Sequence, residues 1–379
     1  MRRKNFRYPV TSLAGSTPGN IFKIIKSQQT APRYYLKLGL SFIVAIIFSF
    51  FNLLENLLRR KQIRNFKLKE PPLFIIGFNR SGTTLLHNLL CQDPESGYTT
   101  TLQTVFPSCF LTQQWWLGPV FNYLVPAQRP FDNVSMDKDF PQEEEFAMAN
   151  LQPYSVYNFF LFPSAFDHFV DHDYFTEMLP AAGLAKWKKE YHKMMVKSLL
   201  NTKGTRYVSK NPVNIPRMKI LKELYPHARF IFIYRDPYVV VESFYHFILA
   251  IFPGIQLQEV PADFSRRNVA RFYSIAMTHY LEMKKKSSTP IAFEIRMEDF
   301  VKDKIGGLRN LYSALGIEKF EASAVAFENY LASNHYSRNE SYEIDKETIQ
   351  YVNLYATPIV EHFGYPLRTI PTGKTGAFD

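Results

Sequence analysis

The sequence predicts an α/β fold, a central parallel sheet covered by helices, preceded by an N-terminal hydrophobic helical extension. Three observations predict it. Short apolar runs at residues 73–76, 206–209 and 230–234 read as buried strands. Turns and helical periodicity follow them, as at 218–224 and 239–249, and repeated strand–turn–helix units build parallel sheets. Ahead of them all, residues 38–54 form a run of 17 residues without a charge.

The N-terminal segment differs from the rest in composition. Residues 1–70 hold 14 Lys+Arg against 2 Asp+Glu, whereas the remainder holds 31 against 32. The formal charge of +11 therefore resides in that segment, and the body lacks the basic footprint of a nucleic-acid binder. A spanning helix uses about 20 apolar residues, with ~17 as the lower limit. Arg33 and Lys37 precede the apolar run, and Arg59, Arg60, Lys61 and Arg64 follow it, so flanking charge sets no orientation. The run starts too far into the chain, and lacks the cleavage site, for a signal peptide. The expectation is a membrane-associated segment drawn to anionic headgroups, spanning or lying in the interface plane. A buried helix of the body is the alternative.

Pro71-Pro72 marks the boundary between this segment, 1–70, and a domain over 71–379. The chain is 46% hydrophobic, enough for a large core, and its 34 Phe and 23 Tyr would suit an apolar pocket. Cys91 and Cys109 have no zinc or redox spacing. Residues 181–200 read as a long helix leading into the second strand, and 345–363 as an amphipathic helix ending near Gly364.

After the first strand comes Gly77-Phe78-Asn79-Arg80-Ser81-Gly82-Thr83-Thr84, then a helix. A glycine-bounded turn feeding a helix N-terminus offers free N–H groups to an anion. Gly77 and Gly82 have the spacing of a P-loop, G-x4-G-K-[ST], with Thr83 at the lysine position and Thr84 at the magnesium-ligand position. Nucleotide kinases and GTPases use that lysine, with Mg²⁺, on the β/γ-phosphates. With Arg80 as its one cation, this loop suits a less charged group and no metal clamp; a plain structural turn is the alternative. Arg235-Asp236-Pro237 ends the 230–234 strand, where open α/β sheets bind ligands. Ser243 follows eight residues after Arg235. The alternatives are a surface salt bridge of Arg235 with Asp236 or Glu242, or a Walker-type carboxylate at Asp236.

These motifs carry a resemblance. Arg80-Ser81-Gly82-Thr83-Thr84 resembles the 5′-phosphosulfate loop of PAPS-dependent sulfotransferases, and Arg235 with Ser243 resembles their 3′-phosphate motif. Lys210-Asn211-Pro212-Val213-Asn214-Ile215-Pro216-Arg217 resembles the K-S-P-x-H-x-x-R signature of the bacterial-type branch. Lys210, Pro212 and Arg217 match; Asn211 and Asn214 replace the Ser and His. The resemblance extends over about residues 71–365. It implies a P-loop-like three-layer fold with PAPS across the strand ends, PAP as product, and no metal. Arg80, Ser81, Gly82, Thr83, Thr84, Arg235 and Ser243 would bind the donor. Lys210, at a strand end, would act on the transferring group or be a solvated loop lysine.

Sulfuryl transfer needs in-line attack, a base for the acceptor proton, and positive charge on the leaving phosphate. Pro141-Gln142-Glu143-Glu144-Glu145 resembles a P-x-E-D-E element of the branch, with Glu144 in place of Asp. Three adjacent carboxylates repel, so partial burial would raise at least one pKa toward a useful range; an acidic helix N-terminus is the alternative. His87, one helical turn beyond Thr84, is a further base candidate or a structural histidine. Residues 338–342 resemble a late nucleotide-contacting element, and Asn133 and Asn339 head glycosylation sequons.

The expected activity is sulfuryl transfer from PAPS to an acceptor hydroxyl on a lipid, sterol, glycan or small molecule. The rivals are a P-loop small-molecule or lipid kinase, disfavoured by Thr83, and a non-catalytic membrane-anchored nucleotide-binding protein, kept open by Asn211 and Asn214.

Overall fold

The computed structural model describes residues 9–125, 135–286, 291–334 and 343–370. The 338–342 element and the two sequon asparagines lie outside the described residues. Five parallel strands form one sheet in the order β2-β3-β1-β4-β5: β1 Leu73–Ile76, β2 Ser96–Gly97, β3 Arg206–Lys210, β4 Arg229–Tyr234 and β5 Ile291–Arg296. The three apolar runs thus fall on the three central strands. Their alternate residues face opposite layers, as a period of two requires. Phe74, Ile76, Phe230 and Phe232 pack toward the helices Ala181–Thr202, Pro237–Ile255, Arg266–Lys286 and Lys346–His362. Leu73, Ile75, Ile231 and Ile233 face the layer containing Leu85, Leu308, Leu311 and Phe327. The result is the expected three-layer α/β architecture.

Strand β1 lies between β3 and β4, so the chain leaves it first toward one side and returns to pair on the other. The crevice at such a reversal, beyond the carboxyl ends of the strands, is where α/β sheets hold ligands. The loop after β1, the end of β3 and the end of β4 all open there.

Residues 9–64 pack onto this body. Helix α1, Pro18–Lys26, buries Ile21 and Ile24. Helix α2, Tyr35–Arg64, contains the whole 38–54 run and turns Ser41, Ala45, Phe48, Asn52 and Glu55 inward. Glu55 forms a buried ion pair with Lys197 of the Ala181–Thr202 helix. Its other oxygen accepts from the backbone N–H and hydroxyl of Thr112, at 2.9 and 3.1 Å. Both cysteines are buried and unpaired.

Candidate active site

Helix α3, Thr83–Leu90, begins at Gly82, whose φ of 97° belongs to the left-handed region. A Cβ there would come within 2.3 Å of the Met297 Sδ. At Gly77, also at positive φ, a Cβ would come within 2.3 Å of the Ile233 carbonyl oxygen in β4. Glycine is thus required at both ends of the loop, by backbone conformation and by close approach. Arg80 also has positive φ, 70°, a conformation that non-glycine residues adopt only where surrounding structure imposes it.

That conformation brings Arg80 to the second motif. Its Nε donates to the Ser243 Oγ at 2.9 Å, and its guanidinium lies 5.3 Å from the Phe247 ring centroid. Ser243 is one and a half turns into the Pro237–Ile255 helix, which Asp236 caps by accepting from the Tyr238 N–H at 2.9 Å. The two motifs, 163 residues apart, are therefore one site.

Arg235 sits beside them. The carboxylates that the sequence offered as its partners are otherwise engaged: Asp236 binds Arg368 at 2.6 Å, and Glu242 binds Arg266 at 2.9 Å together with His246 and Thr348. Among the described residues, Arg235 makes no hydrogen bond or ion pair. Burial, with Arg80 close by and only partly offset by Glu298, pulls its proton affinity down. Two neighbouring guanidiniums in a half-buried crevice have the charge and hydrogen-bonding capacity to hold a multiply charged anion.

Lys210, the last residue of β3, is level with Ile75 of β1. Its ammonium pairs with the Glu143 carboxylate, whose other oxygen accepts from the Tyr157 hydroxyl at 2.7 Å. The same hydroxyl lies 3.2 Å from the Asn79 Oδ1 in the loop after β1. Glu143 is the N-cap of helix α6, Glu144–Leu151. The acidic cluster is thus a helix N-terminus and also a neighbour of the anion site.

The three glutamates occupy three different environments. Glu143 keeps 15% of its side chain exposed and sits against Lys210. Glu144 is fully buried and accepts on one oxygen from Tyr191, Asn214 and Ser209. Burial pushes its carboxyl upward despite those bonds. Glu145 is also fully buried. There burial is outweighed by Arg217, which holds it below the usual carboxylate range, with Asn211 at 3.0 Å and Ser155 at 2.7 Å completing its shell. The expected upward shift falls on Glu144, which is sealed from solvent, so it does not supply a poised base.

The two departures from the family signature are accounted for here. Asn214 donates to Glu144 at 2.9 Å, and Asn211 donates to Glu145 while its Oδ1 accepts from the Val213 N–H at 3.0 Å. Both asparagines are integral to the network that holds the acidic helix against β3.

His87 does not face the anion site as its spacing suggested. It is buried, and its Nε2 lies 3.2 Å from the Val208 carbonyl oxygen in β3, as a donor in the neutral ring. Burial first, then Lys210, lower its pKa from 6.5 to about 3. The unfolded chain binds this proton at 6.5 and the folded chain only near 3. Stability should therefore fall as pH drops through that window, by about 1.4 kcal/mol per unit. Urea unfolding across that range should show this slope, and His87→Gln should remove it.

Tyr157, Asn79, Tyr191 and Ser209 were not singled out in the sequence. The Tyr157–Asn79, Tyr191–Glu144 and Ser209–Glu144 contacts span 78, 47 and 65 residues, and no local spacing announces them.

Comparisons with known proteins give the family. Residues 71–322 match a family model described as "Sulfotransferase family". The omega-hydroxy-beta-dihydromenaquinone-9 sulfotransferase Stf3 of Mycobacterium bovis is 30% identical over 330 residues, 86% of this chain and 83% of that protein. The same figures hold for Stf3 of Mycobacterium tuberculosis. Among solved structures, sulfotransferase STF9 from Mycobacterium avium superposes with a TM-score of 0.71 at 16% identity, covering 92% of this chain and 90% of that one. STF1 from Mycobacterium tuberculosis superposes with a TM-score of 0.63 at 15% identity, covering 82% and 85%. These two show the fold; the family match and the 30% identity show the kinship. The chain belongs to the sulfotransferase family and is a transferase of sulfuryl groups.

Proposed function

We propose that the chain transfers the sulfuryl group of PAPS to the hydroxyl of a lipid-type acceptor at a membrane surface. The observation that carries the donor reading is the bond from Arg80 to Ser243, which joins the two motifs beside Arg235. In this reading Arg80, Ser81, Gly82, Thr83 and Thr84 hold the 5′-phosphosulfate at the N-terminus of α3, and Arg235 and Ser243 hold the 3′-phosphate. The cations present are arginine and lysine, and the reading requires no metal.

In the transfer, the acceptor oxygen forms a bond to sulfur as the bond from sulfur to the bridging phosphate oxygen breaks. The acceptor proton passes to Glu143, and the charge gained by the departing PAP is met by Lys210 and Arg80. Lys210 holds Glu143 before the donor arrives; the donor's bridging oxygen competes for the same ammonium, and its binding frees the carboxylate to act. Glu144, Glu145 and His87 are positioning or packing groups. The lipid-type acceptor is supported by the substrate in the Stf3 name and by the apolar N-terminal segment, which we assign to membrane association and set apart, as residues 1–70, from the transferase domain.

Thermal stabilisation by PAP, compared with ATP and Mg²⁺, each with and without EDTA, tests the donor assignment. At a hundredfold excess over its dissociation constant PAP should add about 2.7 kcal/mol, indifferent to EDTA and lost in Arg235→Ala. A response to Mg-ATP with none to PAP would refute it.

A further inference from the structure

Helix α2 has two faces. The inner one is docked on the body, and the outer one exposes Leu36, Ile43, Ile47, Phe50, Leu53 and Leu57, each more than half exposed. Helix α5, Phe110–Leu124, packs beside it through Trp116, whose ring centroid lies 5.7 Å from that of Phe51 and 6.3 Å from that of Phe48. Its own outer residues, Trp115, Tyr123 and Leu124, are exposed at 77%, 89% and 65%. An apolar face of this extent on adjacent helices marks an interaction surface.

The attachments of α2 decide how a bilayer would meet it. Near its start, the Lys37 ammonium donates to the Gly254 carbonyl at 2.6 Å, and the Ser41 hydroxyl accepts from the Thr11 N–H at 2.8 Å. Near its end, Glu55 pairs with Lys197, and the Asn56 Oδ1 accepts from Lys193 at 2.7 Å. Residues 37 and 56 are about 28 Å apart along a helix, close to the ~30 Å hydrocarbon thickness. A helix crossing the bilayer would carry one of these anchored ends to the far side, away from the body that holds it. Both anchors are kept only if the axis lies along the membrane plane.

Charge and side-chain type specify the partner. Arg60, Lys61 and Arg64 are exposed at the end of the apolar stripe, where they would meet anionic headgroups. Trp115 and Tyr123 are the residue types that settle at the level of the headgroups. We infer that the outer faces of α2 and α5 form an in-plane docking surface that enters one leaflet of an anionic bilayer without spanning it. This rests on the membrane-surface reading above and gives it an orientation. The N-terminal segment also touches the helix whose N-cap is Glu143. Asn150 of α6, the helix capped by Glu143, donates to the Ser12 carbonyl at 3.0 Å, and Asn20 donates to the Ala149 carbonyl at 3.0 Å.

The full chain is floated with phosphatidylcholine vesicles containing or lacking phosphatidylglycerol. Fluorescent labels are placed at Ile43→Cys, Phe50→Cys and Leu57→Cys, the native Cys91 and Cys109 being buried, and quenched by lipids carrying nitroxides at shallow and deep positions. The inference predicts flotation with anionic vesicles and one shared shallow depth for all three labels. It also predicts about a hundredfold weaker partitioning for Arg60→Gln/Lys61→Gln/Arg64→Gln, with stabilisation by PAP unchanged. Labels graded in depth, with Phe50→Cys deepest, would overturn the in-plane orientation and leave membrane association standing. Failure to float, or an apolar face covered in a stable dimer that ignores vesicles, would overturn both.

Discussion

Glu143→Gln should lower kcat by about a hundred- to ten-thousandfold while stabilisation by PAP remains. The amide keeps the size of the side chain and can still accept from Tyr157, but it cannot take the acceptor proton. Glu143 is the one member of the cluster with a partly exposed side chain and with Lys210 as its partner. Glu144→Gln tests the contrast. Glu144 is already driven toward its protonated form by burial, so its amide should fold and retain most of the turnover. Single-turnover rates with saturating donor separate the two cases. A fully active Glu143→Gln would remove this residue from the chemistry.

Glu145→Gln should cost about 3–5 kcal/mol of stability, read by urea unfolding. Arg217 is fully buried, donates to Thr176 at 2.6 Å and lies 4.9 Å from the Trp187 ring centroid, and its charge is matched by Glu145. Removing the carboxylate charge leaves a guanidinium uncompensated in the interior. Arg217→Met strands the carboxylate instead and should cost a similar amount. The double variant Glu145→Gln/Arg217→Met should lose less than the sum, because each single change already abolishes the shared interaction. Strict additivity would mean that the pair is not coupled.

The sequence made the centre of the molecule legible and its margins less so. Strands β1 and β4 read as continuous apolar runs buried on both faces, and β3, Arg-Tyr-Val-Ser-Lys, is buried throughout although only Tyr207 and Val208 are apolar. Strand β5, Ile-Ala-Phe-Glu-Ile-Arg, is a partly exposed edge with a charged residue inside it, and β2 spans two residues; neither has a run long enough to register. The Arg266–Lys286 helix was not foreseen because its many charged residues dilute the apolar stripe of Val269, Phe272, Tyr273 and Tyr280. In the site, glycine spacing and strand-terminal cations pointed to an anion crevice because those features are local. The division of labour among Glu143, Glu144 and Glu145 depends on Lys210, Tyr191 and Arg217, 47 to 72 residues away, and their adjacency offers no means of telling them apart. His87 shows the limit of spacing arguments: one helical turn from Thr84 places it on the face of α3 that packs against β3, not the face toward the anion.

Transfer of label from PAPS carrying radioactive sulfur reads lipid sulfation itself. The full chain is incubated with labelled donor and a total lipid extract, with EDTA present, and counts are followed into the organic phase for wild type, Arg235→Ala and Glu143→Gln. The wild type should yield a labelled, organic-soluble product, and either variant almost none. Label that never leaves PAPS with the lipid extract, while a soluble glycan acceptor becomes labelled, would contradict the account.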